Sequence, residues 1–240
     1  MLYPNLGFFM AKTLNEIEKL VESKSKDFYK YLQNIIPYSL MNIINSISQE
    51  TNVYLFSGLI RNYFLHIYDY RDIDLVLESA VDVKKYFKNY NIQINSFGGY
   101  KIAFDNIPID IWFAKDSWAY KVQKVFDFDL AKFIFQTAYF NFSAIIFSLN
   151  EKKFYYSKHF LRFLQNKQID IVFPLNKNYD LCIINIIYYS EKYNLKISNH
   201  LINEIVKYYN YQNHDFDNCQ KKHFGYIKYD FKYIDDFIKK

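Results

Sequence analysis

From residue 11 to residue 50, apolar side chains recur at three- and four-residue steps. "LNEIEKLVE" and "FYKYLQNIIPYSLMNIINSI" carry the period of amphipathic helices, and Pro37 predicts a fresh helix start or a kink. The pattern then changes. "VYLF", residues 53–56, is a short continuous apolar run that reads as a buried strand; Gly58 ends it, and "LIRNYFLHI" reads as a short helix. Residues 72–78 alternate as a strand does. "VDVKKYFKNY" reads as a surface helix with Val81, Val83, Tyr86 and Phe87 facing inward. Three β-type runs follow, "IQINSF", "YKIAF" and "IPIDIWFA". Gly98-Gly99 separates the first two, and Asp105-Asn106 supplies a hairpin turn between the second and third. Beyond residue 120 the pattern reads as mostly helical to the end.

Helices, then strands mixed with helices, then helices again: this order predicts an α+β chain. Its centre is a head with a small mixed β-sheet over residues 51–150. N-terminal helices over 1–50 pack on that head, and a helical region covers 151–240, with the boundary placed at "SLNEKK". No internal repeat or low-complexity linker interrupts the chain.

The strand at 72–78 contains two carboxylates. Side chains alternate between the faces of a strand, so Ile73, Leu75 and Leu77 point to the core while Asp72, Asp74 and Val76 point the other way. The two carboxylates then share a face, about 7 Å apart along the strand. "IPIDIW" repeats the device, with Ile107, Ile109 and Ile111 on one face and Asp110 on the other. If the two strands are neighbours, three carboxylates converge. They would repel one another and be driven towards protonation, and a divalent cation removes that conflict. Oxygen-only ligands favour Mg²⁺ or Mn²⁺ over Zn²⁺, and two such ions suit activation of a hydroxyl and in-line attack on a triphosphate. The Ser57-Gly58 turn between strand and helix lets backbone N–H groups approach a phosphate. Arg61, about one turn on, offers a forked contact to the same group. Taken singly, each feature has a plainer reading as a chance D-x-D, an ordinary turn or a solvated arginine; their order along the chain carries the weight.

Composition bounds this picture. The 240 residues are 51% hydrophobic and 23% charged, enough for a real core. The 25 Tyr and 24 Phe accompany many Asn, Lys and Ile and are discounted as evidence for base stacking. A net charge of +5 permits a polyanionic partner without demanding one. Cys182 and Cys219 lack metal-ligand spacing and read as reduced thiols. "MLYPNLGFFMAK" is too short and broken for a signal peptide, and no apolar run reaches the roughly 18 residues of a membrane span. A soluble, cytoplasmic protein with no membrane partner is expected. The histidines, among them His66, His159 and His200, show no zinc spacing, and no P-loop motif is present.

"YLFSGLIRNYFLHIYDYRDIDLVL" resembles the head of the polymerase-β-like nucleotidyltransferase superfamily, most closely its class II branch of CCA-adding enzymes and bacterial poly(A) polymerases. That branch reads apolar-G-G-x-V-R-D-x-L-L, then D-x-D. Ser57 and Gly58 fall on the glycine pair, Arg61 on the arginine, Leu65 on a following leucine, and Asp72 and Asp74 on the metal-binding pair. Asp110 matches the third carboxylate, and "FGGYKIAF" the strand pair between. The likeness covers residues 50–120 well and 130–200 faintly. It departs at Ser57 and at Asn62, which stands where the pattern has aspartate. "TAYFNFSA", residues 137–144, lacks the arginines and aspartate of the downstream nucleotide-contacting stretch. "NYDLCIINIIYYSEKYNLKIS" lacks the base-reading arginine, so ordered use of CTP then ATP is not supported.

The resemblance implies a nucleotidyltransferase that moves an NMP from an NTP to a hydroxyl acceptor, an RNA 3′ end by family likeness. Asp72 and Asp74 would bind two Mg²⁺ or Mn²⁺ ions, and Asp110 would bind the catalytic ion and act as base. Ser57, Gly58 and Arg61 would hold the triphosphate. Two alternatives stay open: a retired nucleotide- or RNA-binding protein, and a toxin- or defence-type enzyme that nucleotidylates a protein. Lys101, on the polar face with Ala103, is a further triphosphate candidate beside its plainer reading as a solvated lysine. Lys115 and Lys121 are candidates for an acceptor path; Trp112 and Trp118 read as core. "SKHFLRFLQNK", with Lys158, His159, Arg162 and Lys167, and the Lys- and Tyr-rich tail from Tyr211 are candidate acceptor-binding surfaces or simply solvated faces. Oligomeric state is left open.

Overall fold

The computed structural model describes residues 13–56, 58–95, 98–117, 134–174, 178–211 and 213–239. Three helices come first. α1 (Leu14–Ser23) is opened by Thr13, whose side chain accepts from the Glu16 N–H while the Glu16 carboxylate accepts from the Thr13 N–H. α2 (Ser25–Ile35) ends before Pro37, and Pro37 is the N-cap of α3 (Tyr38–Ile47), as the sequence pattern expects.

β1 (Val53–Phe56), α4 (Gly58–Phe64) and β2 (Ile73–Leu77) follow, and then α5 (Val83–Tyr86), a single turn where a longer surface helix was expected. Val83 and Phe87 are nonetheless fully buried. β3 (Ile92–Ile94), β4 (Tyr100–Phe104) and β5 (Ile107–Phe113) form a meander. Asp105 and Asn106 both have positive φ, 45° and 70°, which gives the two-residue turn that joins Phe104 to its partner Ile107.

The reading of a helical chain beyond residue 120 is corrected at residues 145–156. β6 (Ile145–Ser148) and β7 (Lys153–Tyr156) form an antiparallel hairpin, and "SLNEKK" makes its turn. "IIFS" is buried on both faces, so it shows no alternation and gives no strand signal. The hairpin pairs with β1, and the mixed sheet grows to seven strands in the order β3-β4-β5-β2-β1-β6-β7. Within this sheet, among the described residues, β2 and β5 run parallel and the other pairs are antiparallel. The remaining α-helices among the described residues are α6 (Lys158–Asn166), α7 (Tyr179–Tyr193), α8 (Asn199–Tyr211), α9 (Phe216–Phe224) and α10 (Phe231–Ile238). Between α6 and α8, β8 (Gln168–Ile169) pairs with β9 (Lys196–Ile197). Among the described residues no helix is long and apolar enough to cross a membrane.

The two faces of the sheet differ. Ile73, Leu75 and Leu77 join one continuous apolar core that runs from Ile17 of α1 to Ile234 of α10. Val76 lies on the other face, in a small separate cluster with Tyr54, Ala114, Ile134, Phe135 and Ile146. The large core centres on Phe28, which has no solvent exposure and meets the rings of Tyr63, Phe147 and Phe154 at centroid distances of 4.9, 4.9 and 5.0 Å. It ties α2 to α4 and to the β6–β7 hairpin. Replacing Phe28 by Ala is expected to cost about 3–5 kcal/mol of unfolding free energy, read from urea denaturation.

Candidate active site

Pairing register sets the positions of the acidic side chains. β2 and β5 run parallel with Asp74 and Asp110 as direct partners, and Val76 opposite Trp112. On the other side of β5, Asp110 is the partner of Lys101 in β4. Asp74, Asp110 and Lys101 therefore form one row across three strands, each step about 4.8 Å. They stand on the face that carries Val76, away from the main core. Asp72 precedes β2 by one residue and lies two residues before Asp74.

The electrostatics are those of crowded acids. Asp74 is pushed up to about 8, first by burial and then by the Asp72 and Asp110 charges, with Arg71 and Arg61 opposing. It keeps some access to the cleft but is densely surrounded by protein. Asp110 is also raised, by burial foremost and then by Asp72, while Lys101 and Arg71 pull the other way. Its Oδ1 is buried with no hydrogen-bond partner. Asp72 directs Oδ2 at Arg71, 2.8 Å from Nε and 2.7 Å from Nη2.

A cation fits this donor set in chemistry: three carboxylates, an orphan oxygen, and one acid that burial and repulsion hold towards its protonated form. As the side chains are placed, no group of three His, Cys, Asp or Glu residues among those described is arranged to hold a metal ion. Asp72 Oδ2 is engaged with Arg71 instead.

Asp72 and Asp74 border a cleft of about 540 Å³, which Gly58, Arg61 and Trp112 also line on the sheet side. Helix α7 and the 137–143 segment form the opposite wall. Arg61 is buried, at 7% exposure, and among the described residues it has no carboxylate partner. Its Nε and Nη2 donate to Asn62 Oδ1 at 3.1 and 2.9 Å, and Nη2 donates to the Tyr193 hydroxyl at 2.9 Å. The guanidinium lies 4.9–5.3 Å from the ring centres of Phe142, Tyr189 and Tyr193. A Cβ built on Gly58 would meet only Arg61 Nη2, at 3.9 Å, so the glycine leaves room directly before the guanidinium.

Of the residues singled out in the sequence, Asp72, Asp74, Gly58 and Arg61 line the cleft, and Asp110 and Lys101 continue their row across the sheet. Ser57, Trp118 and Lys121 lie outside the described residues. Lys115 is exposed, and neither it nor Lys158, His159, Arg162 and Lys167 lines the cleft. Trp112 lines the cleft at the edge of the small cluster, with its ring 5.9 Å from Phe56.

Several residues at the site were not singled out. Arg71 sits next to the D-x-D pair, and its adjacency was a usable signal. Tyr193, Asn185 and Lys192 come from α7, more than a hundred residues away in sequence, where no local signal marks them. His223 of α9 is lowered by burial first and then by Arg71 and Lys101, with Asp72 opposing, so its ring feels the charges beside the acids.

No protein-family model matches the chain, and no curated protein matches it. Solved structures do. A CCA-adding enzyme in complex with CTP superposes with a TM-score of 0.64 at 18% identity, covering 88% of this chain and 53% of that one. A CCA-adding enzyme with ATP gives 0.58 at 19% identity, with 74% and 44% covered. The Thermotoga maritima CCA-adding enzyme complexed with tRNA gives 0.57 at 19% identity, with the same coverage. The chain thus has the fold of the CCA-adding enzymes and spans about half the length of these structures.

Asp74 ties the acids to stability. A carboxyl whose pKa rises from 3.8 to about 8 on folding binds more protons folded than unfolded, so its contribution falls as pH rises from about 4 to 8. Without divalent cations, Asp74→Asn is expected to raise the melting temperature by a few degrees at pH 8 and to leave it unchanged at pH 4. Thermal melts of both proteins at the two pH values check this.

Proposed function

We propose that this protein is a metal-dependent nucleotidyltransferase that moves a nucleoside monophosphate from an NTP to a hydroxyl on an RNA 3′ end. One observation carries the reading: the β2–β5 register sets Asp74 beside Asp110, and Asp74 and Asp72 line a cleft with a buried arginine that has no counter-ion among the described residues. The shared fold with CCA-adding enzymes, whose structures include complexes with ATP, CTP and tRNA, supports the same class of reaction.

Asp72 and Asp74 would hold two Mg²⁺ or Mn²⁺ ions, and Asp110 would complete the site of one of them. When bound, the ions supply charge neutralisation at the triphosphate and acidify the attacking hydroxyl. The chain's own residues do the rest. Asp72 would exchange its bond to Arg71 for the ions. Asp110 accepts the acceptor's proton at Oδ1, the atom left without a partner. Arg61, already desolvated and held by aromatic faces, donates to the triphosphate from N–H groups that Asn62 and Tyr193 do not use. Gly58 keeps the approach open, with Ser57 beside it in the chain, and Lys101 extends the positive side of the row at Asp110.

Exposed lysines favour RNA as the acceptor. Lys221, Lys222 and Lys228 lie on either side of His223 in sequence and are exposed, and Tyr226 between them is 57% exposed. Cations interleaved with an exposed ring suit a single strand. The ion pair of Arg71 with Asp72 favours the second reading, a protein that binds nucleotide without turnover.

Purified protein incubated with each α-labelled NTP, Mg²⁺ and an RNA pool decides between them. Label in RNA is expected, and Asp72→Ala with Asp74→Ala, or Asp110→Ala alone, should reduce it at least about a hundredfold. Label on protein would redirect the acceptor. Label nowhere, with NTP still bound, would establish the second reading, and labelling that survives the double substitution would refute the metal site.

A further inference from the structure

Arg71 carries a positive charge that acts on all three acids. It sits in a bend directly before β2 and lines the cleft beside Asp72. Neighbours in an extended strand point to opposite faces; the bend lets these two side chains meet. Nε and Nη2 of Arg71 both donate to Asp72 Oδ2, at 2.8 and 2.7 Å. The same guanidinium pulls the Asp74 and Asp110 carboxyls down against burial and repulsion. It therefore supplies the charge that crowded acids call for. Two properties make it an occupant that can leave. Its side chain is 67% exposed, and ion pairs open to water hold weakly. It is also the chain neighbour of Asp72, so on leaving it travels no further than its own side chain reaches. Arg61 is the opposite kind of arginine, buried and fixed by Asn62, Tyr193 and three ring faces.

We infer that Arg71 is an exchangeable plug: it neutralises the acids before metal binds, and it moves to the triphosphate when Asp72 takes up the ions. This rests on the nucleotidyltransfer reading above and adds how that site is loaded. Asp72 Oδ2 cannot serve a guanidinium and a divalent cation at full strength together, and the two cations repel each other. The released guanidinium presents a planar fork that matches two phosphate oxygens. An NTP arriving with Mg²⁺ thus brings both the cation that frees Arg71 and the anion that receives it. Metal alone brings only the first, so it must displace the arginine with nothing in return. Arg71 should therefore weaken the binding of metal alone and strengthen the binding of metal with polyphosphate. A purely structural arginine predicts neither effect, and a simple phosphate ligand predicts only the second.

The test measures two affinities of the full chain. One is for Mn²⁺ alone, from the electron paramagnetic resonance of free Mn²⁺; the other is for inorganic tripolyphosphate with saturating Mg²⁺, from calorimetry. Arg71→Gln should bind Mn²⁺ several-fold more tightly than the wild type and tripolyphosphate at least about tenfold more weakly. Lys84→Gln removes one positive charge from an exposed site away from the cleft and should change neither. Thermal melts verify that both variants fold. Affinities that move in the same direction, or that do not move, would overturn this proposal alone. So would a change in only one of them, which would leave Arg71 a bare plug or a bare phosphate ligand. Wild-type protein that binds neither Mn²⁺ nor tripolyphosphate would overturn it together with the nucleotidyltransfer reading on which it rests.

Discussion

Three carboxylates on one face of a sheet cannot all be ionised in a partly dry place. That conflict organises this molecule. A strand pair chosen only for stability would put apolar or neutral groups where Asp74 faces Asp110, because desolvation and mutual repulsion both disfavour the folded state. The fold carries the conflict on its less covered face and puts its large core on the other. There Ile73, Leu75 and Leu77 bury against helices and supply the free energy that the acids withhold. Alternation along a single strand thus separates stability from chemistry.

Arg61 presents the same tension with the opposite sign. A buried guanidinium is ordinarily paired with a carboxylate. Here it has an amide oxygen, a hydroxyl and three ring faces. These groups hold the cation in place without cancelling its charge. Asp74 and Arg61 thus line one cleft, each without a partner of opposite charge in direct contact among the described residues, the acid suited to a cation and the arginine to a phosphate. The small attraction between Arg61 and Asp74 already lowers the acid's pKa somewhat, yet burial and the two neighbouring acids outweigh it.

Much of the head was legible because its signals are local. Alternation in "DIDLVLE" and "IPIDIW" assigned each side chain to a face, and the parallel register set Asp74 opposite Asp110. Asp105-Asn106 named its turn because those residue types tolerate positive φ. The β6–β7 hairpin was not legible. A strand covered on both faces reads as an unbroken apolar run, and four such residues cannot be distinguished from a helix turn. The α7 wall of the site was hidden for a different reason. Tyr193 reaches Arg61 across 132 positions, and a tyrosine in a chain holding 25 of them carries no mark of its role.

Asn62 shows how a departure from a family pattern can be a local necessity. The resembling pattern has aspartate at this place, and its loss reads first as decay. In the structure, Asn62 Nδ2 donates to the Asp69 carbonyl at 2.7 Å, and the Ile67 N–H donates to the Asn62 carbonyl at 2.9 Å. These bonds hold the loop that delivers Arg71 and Asp72 to β2. An ionised aspartate could accept from Arg61 and Tyr193 as Asn62 does, but it has no hydrogen for Asp69, and it would set a negative charge against the Asp69 carboxylate, whose Oδ1 is 3.5 Å from Nδ2. It would also set a negative charge against the buried Arg61 guanidinium that faces the cleft. The amide keeps the loop and the charge together, so the substitution is consistent with a working site built from a different set of partners.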